Sequence, residues 1–454
     1  RDQSMSNPPI NRIQPKPNPN QPPRPNTGEL GGAWSPPPLT SLNDTGLNLL
    51  AVAELVLKVL YFGGYMSGHT IADIVKLPFT GVLDSVIDFL KREKFIEVKG
   101  SGGLGEASFQ YLISNAGAAK AREALERSQY AGPAPVTLQQ YIASLRSQNK
   151  ERLLVHEEQM KSVTDHLVIS EEMLARIGPA INSGRSMFLY GPPGNGKTTV
   201  AEQVGRLVLG DTIWIPYAFD VDGQIVRVFD NVNHELADDM STKLGTGVVM
   251  DPRWVRIRRP MIMVGGELTL SGLDLVYDTI NKYYEAPFQV KANGGMFLID
   301  DFGRQQVRPR DLLNRWIVPL EKGIDFLTLA TGRKIEIPFF VLIVFSTNID
   351  PRDLVDEAFL RRIRHKIEIT DPTYEQFRDI FKRVCTAKGV KYDEQALAYL
   401  LKEWYISKNR ALRAVHPRDL INQLLDIATY LNKPPVLSKD MIDRSAASYF
   451  VNLD

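Results

Sequence analysis

The spacing of apolar residues changes several times along this chain, and each change predicts a different kind of structure. Almost no apolar residue precedes Leu30, and residues 1–40 hold eleven of the 29 prolines, interleaved with Asn and Gln. Proline fixes φ and withholds a donor, so the pattern predicts a disordered tail over 1–42, an inert leader rather than a docking arm. From Asn43 apolar residues recur at helical spacing: Leu47, Leu50, Val52, Leu55, Val56, Val59 and Leu60, ending at Gly63-Gly64. A short helix is expected over 71–77. Thr80 is placed to cap a third, whose apolar face is Val82, Leu83, Val86, Ile87, Phe89 and Leu90. A strand (95–99), a glycine-rich tip (100–105) and a returning strand (109–113) follow. An Ala/Glu/Arg-rich helix (116–128) and a Gly-Pro-Ala-Pro loop then lead onward. No internal repeat is visible.

Beyond residue 170 a helical pattern over 171–182 gives way to short, continuous apolar runs. Those at 186–190, 296–299 and 339–345 read as strands buried on both faces, the signature of a parallel sheet. A second strand is expected over 213–219, continuing as a hairpin into 224–229, with a last strand over 366–369. The remainder reads as helix: 374–387, 394–404 and a segment opening at His416-Pro417. The fold class is therefore an α/β core, a parallel sheet with helices on both faces, followed by an α-helical domain and preceded by an α+β domain.

The first apolar run stops at Gly191-Pro192-Pro193-Gly194-Asn195-Gly196-Lys197-Thr198-Thr199, and a helical pattern (Val200, Val204, Leu207, Val208) follows. This is G-x-x-x-x-G-K-[ST] with a strand before it and a helix after it. Glycines let backbone N–H groups approach phosphate oxygens, and the helix start favours negative charge. Lys197 is expected to reach the β- and γ-phosphates and the Thr198 hydroxyl to ligate Mg²⁺. A Gly/Pro turn that fits by chance is the bland alternative, and the correct flanks count against it.

Composition narrows the setting. The 454 residues are 43% apolar and 24% charged, with net charge +1, enough for two to four domains and without bulk attraction to nucleic acid or anionic membrane. The single cysteine, Cys385, excludes an internal disulfide framework and sits in a helical apolar pattern, as a core thiol does. Histidines are scattered, without a zinc motif. No run reaches transmembrane length, so a cytoplasmic chain without membrane insertion is expected.

Further carboxylates and arginines stand at strand ends. The run Met296-Phe297-Leu298-Ile299 closes on Asp300-Asp301. Carboxyl ends of parallel strands are where open α/β sheets place ligands. Asp300 is expected to hold Mg²⁺ through water and Asp301 to polarise an attacking water, against the alternative of a strand ending in a polar turn. The 339–345 run ends in Ser346-Thr347-Asn348, and Asn348 can hold the lytic water or sense the γ-phosphate. Asp301-Phe302-Gly303 and His416-Pro417-Arg418-Asp419-Leu420 spell kinase motifs in an order no kinase has. The arginines of 253–259 alternate as in a strand and suit a solvated edge hairpin or a subunit contact better than a nucleic-acid loop.

In this order, over 165–435, these elements resemble the AAA+ ATPase module: Walker A, Walker B, sensor 1, arginine finger and sensor 2. The resemblance implies ATP and Mg²⁺ as ligands, hydrolysis to ADP and phosphate, and a homo-oligomeric, hexameric ring. It places sensor 1 at Asn348, the finger at Arg362 with Arg361 in reserve, and sensor 2 at Arg418. The strand-tip segment 331–337 resembles the hairpin that precedes sensor 1 in enhancer-binding activators, magnesium chelatases and hexameric helicases. Residues 43–118 resemble a winged-helix domain. Its third helix presents Asp84 and Asp88, which repel phosphate and favour a protein partner. The expected plan is tail 1–42, winged helix 43–118, helical linker 119–160, nucleotide-binding domain 161–368 and helical lid 369–454. Two features depart from the family: Walker B is Asp-Asp rather than Asp-Glu, and 103 residues separate Lys197 from Asp300, the excess expected as inserts over 220–290. The function implied is a remodelling ATPase with a protein client. A nucleic-acid motor or loader, and an ATP-gated switch with weak hydrolysis, are the alternatives.

Overall fold

A computed structural model of the chain describes residues 34–101, 103, 105–149, 155–164, 168–208, 212–237 and 250–450. Five parallel strands form the centre: β1 (Met187–Tyr190), β2 (Met261–Val264), β3 (Met296–Ile299), β4 (Leu342–Thr347) and β5 (His365–Glu368). They pair in the order β2-β3-β4-β1-β5. Period-two alternation splits their side chains between two cores. Phe188, Phe297, Ile299, Ile343 and Phe345 pack on Leu312, Leu313 and Trp316. Met187, Leu189, Met296, Leu298, Leu342 and Val344 pack on Leu174, Ile177, Ala180, Ile181, Val200, Ala201 and Val204. These last come from the helices Glu171–Ser183 and α1 (Lys197–Val208). The sheet is thus covered on both faces, as its continuous apolar strands require. The two edge strands, β2 and β5, alternate more and less buried positions.

The second strand of this sheet is not where the sequence pattern put it. Residues 212–219 break at Tyr217 into Thr212–Pro216, which pairs with Trp254–Arg258, and Ala218–Val221, which forms a hairpin with Gln224–Arg227. The core strand is instead Met261–Val264, inside the region assigned to inserts. Its four residues are too short to stand out between the more conspicuous β-rich runs around them. The insert builds a mixed five-stranded sheet in which Val136–Thr137 and the pair Val276–Asp278 and Tyr283–Glu285 also take part. The 119–160 linker is therefore not purely helical, since it supplies one of these strands. A second hairpin, Ile324–Thr328 with Lys334–Pro338, precedes β4.

The N-terminal module packs the helices Leu49–Gly63, Gly68–Val75 and Asp84–Arg92 against an antiparallel sheet of Tyr65–Ser67, Phe109–Ile113 and Ile96–Ser101. Thr80 does not cap the third helix. Gly81 turns left-handed there (φ 84°), and the Asp84 carboxylate accepts the Gly81 N–H at 2.8 Å. Residues 1–33 of the expected tail lie outside the described residues, but 34–42 are packed rather than trailing: the Trp34 ring meets Trp254 edge-on at 5.2 Å, and Leu39 is buried. Arg253 is no surface contact either. It is fully buried, paired with Asp251 (2.8 Å), and donates to the carbonyls of Thr45 and Pro135, tying the N-terminal module to the insert.

C-terminal to the sheet, α2 (Tyr374–Ala387), Glu394–Leu400, α3 (His416–Tyr430) and Lys439–Tyr449 enclose their own core around Phe377, Phe381, Leu397, Leu420 and Leu424. Cys385 is buried in it, and burial pushes its thiol up to about 11. Thr373 and Gln376 start α2 with a reciprocal capping box. Among the described residues no helix is long and apolar enough to cross a membrane.

Candidate nucleotide site

The site lies at the carboxyl ends of β1, β3 and β4, where a cavity of about 530 Å³ opens beneath the helical domain. Its floor is Pro193 to Thr199 of the loop that leaves β1 at Gly191. Gly191 has φ 136°, and a Cβ there would stand 2.3 Å from the Ile369 carbonyl oxygen. Gly194 has φ 81°, and its Cβ would meet Val415 Cγ1 at 2.7 Å. Neither position admits a side chain, which is the local reason for the glycines. Lys197 is buried (7% exposed) and donates to the carbonyls of Gly191 (3.0 Å) and Pro192 (2.9 Å). Burial lowers its pKa, while Asp300 and Asp301 act in the opposite direction.

The carboxylates meet the loop from β3. The Thr198 hydroxyl donates to Asp300 Oδ2 at 2.9 Å. Asp301 sits in the left-handed region (φ 48°) and accepts from Asn348 Nδ2 at 3.3 Å. Gln305 braces the turn, donating to the carbonyls of Asp300 (3.0 Å) and Asp301 (3.2 Å). From the lid, Arg418 reaches the cavity wall while its Nε pairs with Asp419 at 3.0 Å. An apolar wall of Val168, Ile169, Met173, Ile380 and Val384 completes the space.

Of the residues singled out in the sequence, Pro193 to Thr199, Asp300, Asp301, Asn348 and Arg418 line this one cavity. Arg361 and Arg362 do not. Arg361 pairs with Glu357 (2.8 Å) and Arg362 with Glu321 (2.5 Å). Arg362 precedes β5, at the amino ends of the parallel strands, whereas the phosphate loop leaves the carboxyl end of β1. At roughly 3.3 Å per residue a four-residue strand separates these ends by about 10 Å before side chains are counted. Sequence reading missed Gln305, Arg383 and Ser346, which also border the site, and the apolar wall from 168–173. Ser346 Oγ is buried without a hydrogen-bond partner. Only its place two residues before Asn348 on a buried strand could have drawn attention to it.

A strand, a G-x-x-x-x-G-K-T loop and a helix, a carboxylate pair at the carboxyl end of β3 with β4 between it and β1, and a helical cap over both define the class: an α/β P-loop NTPase core. The model of a domain of unknown function, DUF8689, matches residues 373–448, within the helical cap. Among solved structures the chain is similar to the Holliday junction branch migration motor RuvB of Thermotoga maritima, at 14% identity over 68% of this chain and 74% of that one, TM-score 0.34. It is also similar to NtrX of Brucella abortus in complex with ADP, at 13% identity over 71% of this chain and 64% of that one, TM-score 0.38. No curated protein matches. The class rests on the sheet and the cavity.

Proposed function

We propose that the chain is a ring-forming AAA+ ATPase that binds and hydrolyses ATP to remodel a protein client. The observation that supports this is the gathering of Lys197, Thr198, Asp300, Asp301, Asn348 and Arg418 on one cavity, with Thr198 hydrogen-bonded to Asp300. In this reading the loop amides and the Lys197 ammonium hold the β- and γ-phosphates. The apolar wall takes the adenine. Thr198 and Asp300 are adjacent hard oxygen donors and suit Mg²⁺, which would neutralise charge on the phosphate oxygens. Asp301 and Asn348 orient a water in line with the bond between the γ-phosphorus and the bridging oxygen. The water oxygen bonds to phosphorus as that bond breaks, giving ADP and phosphate. Arg418 reports the γ-phosphate to the lid domain over 369–454.

Arg362, at the far end of its own sheet, serves the neighbouring subunit's site. A guanidinium supplied in this way stabilises transition-state charge only in the assembly. The module over 43–118 is read as a winged helix that docks protein. In its third helix Asp84 is held by Gly81, while Lys91 is taken up by Asp88 (2.8 Å) and Glu106 (3.2 Å). That leaves a helix poorly suited to a phosphate backbone.

Calorimetry with MgATP, followed by phosphate release measured against protein concentration, tests this reading. Binding heat and a rate rising more steeply than concentration are expected. Absence of any heat of association overturns it. Strong stimulation by DNA that falls steeply with salt would instead point to a nucleic-acid motor.

A further inference from the structure

The phosphate loop is clasped by two segments remote in sequence. On one side is the chain leaving β5. The Ile369 carbonyl packs against Gly191, and Asp371 follows two residues later. On the other is the run 413–415, which leads directly into α3 and Arg418. Asn195, itself buried, stands between them. Its Nδ2 donates to Asp371 Oδ1 at 2.7 Å, and its Oδ1 accepts the Ala414 N–H at 3.1 Å. The Arg413 guanidinium donates to the same Asp371 carboxylate. The Val415 N–H donates to the Gly194 carbonyl at 2.8 Å. A carboxylate can only accept and a peptide N–H can only donate, so position 195 needs a side chain that does both at once. A short primary amide is that group.

We propose that Asn195 and Asp371 are positioning residues that lock the start of α3 to the phosphate loop and so set the reach of Arg418 toward the nucleotide. The proposal rests on the nucleotide-site reading above. A loop that shifts on phosphate occupancy then moves the Ala414 and Val415 backbone with it, and the lid follows as one body. Loss of the clasp leaves the phosphate cradle intact but lets Arg418 wander.

The test uses the full chain. Asn195→Asp keeps the shape and the acceptor for Ala414 but sets a second carboxylate against Asp371. Combining it with Asp371→Asn exchanges donor and acceptor and restores the bond. Spin labels at Glu171→Cys on the core and Lys433→Cys on the lid report their separation without nucleotide, since Cys385 is buried. A single narrow distance distribution is expected in the otherwise unaltered chain, a clearly broadened one with Asn195→Asp, and a narrow one again in the exchanged pair. An unchanged distribution with Asn195→Asp overturns the proposal whether or not the chain hydrolyses ATP. In turnover, Asn195→Asp should lower kcat about tenfold with KM within about threefold, and by less than about twofold when Arg418→Ala is already present. An equal loss in both backgrounds would show that Asn195 does not act through Arg418.

Discussion

Lys197 offers the sharpest test of the site. Replacing it by Met keeps the apolar stem and removes only the ammonium. In the structure that ammonium is satisfied by the Gly191 and Pro192 carbonyls, and Lys197 itself lines the open cavity. Water can replace it there, so the cost in folding stability should stay within about 1 kcal/mol. Binding is another matter. Hydrogen bonds to charged groups contribute about 1.5–3 kcal/mol each, and unit charges 4 Å apart interact by about 4 kcal/mol at an effective dielectric near 20. Against this stands the surrender of two carbonyl bonds worth about 1 kcal/mol apiece. The net, about 3.5–5 kcal/mol, corresponds to a loss of roughly 400- to 5,000-fold in affinity. Isothermal titration of Lys197→Met with MgATP reads this directly, with the helical content of the two proteins compared beforehand. A dissociation constant within threefold of the parent, in a folded variant, would refute the assignment of the loop as a phosphate cradle.

Three further outcomes follow from the same geometry. Asp301→Asn should hold ATP within about threefold of the parent while turnover falls about 10²-fold, because it retains a partner for Asn348 but cannot take a proton; equal turnover in a phosphate-release assay would remove Asp301 from the chemistry. Mixing Lys197→Met chains with Arg362→Ala chains, each inactive alone, should restore part of the ATPase, because some interfaces pair an intact cavity with an intact finger; no recovery at any ratio would place Arg362 outside the shared site. Lys58, buried and held near 8 rather than 10.5 by desolvation, binds its proton more weakly folded than unfolded, so it opposes folding below pH 8 and the opposition fades as pH rises to 10.5. Lys58→Met, which loses a bond to the Ser128 carbonyl, should therefore raise stability at pH 7 by about 1–2 kcal/mol, and this advantage should disappear near pH 10.5 in paired denaturant melts.

The parallel sheet and the cavity at its carboxyl ends were largely legible because their information is local. The G-x-x-x-x-G-K-T loop announces itself within nine residues, and β3 and β4 are continuous apolar runs that end on side chains lining the cavity. The α2 boundary was legible too, since Thr373 and Gln376 are a capping pair at fixed spacing. What escaped the sequence depends on partners far along the chain. β2 is four residues long and is recognisable as a core strand only by its register with β3. Arg253 reads as one of an exposed arginine series, yet it is buried completely, held by the Asp251 carboxylate and the carbonyls of Thr45 and Pro135. The clasp at Asn195 joins residues 176 and 219 positions away, and no periodicity encodes such a contact.

The Asp-Asp pair is where local sequence and fold pull against each other. A carboxylate one methylene shorter than glutamate falls short by roughly 1.5 Å, which in a regular strand end would leave Asp301 too far back to act on a water. The backbone does not continue regularly there. Asp301 turns into the left-handed region, a conformation uncommon for a residue with a Cβ but tolerated by aspartate. Such turns persist when neighbours over-determine them. Here Gln305 takes both carbonyls of the pair, the Phe302 N–H bonds to Ser346, and Asn348 holds the carboxylate itself. In the proposed ATPase the turned backbone therefore does part of what a longer side chain does elsewhere, and the shorter reach is no argument for an inert switch. Asp301→Glu separates the two ideas. If the turn already places the carboxylate, the added methylene overshoots and turnover falls. A sharp rise in turnover would show that reach is limiting and that the native chain is built to bind ATP and wait.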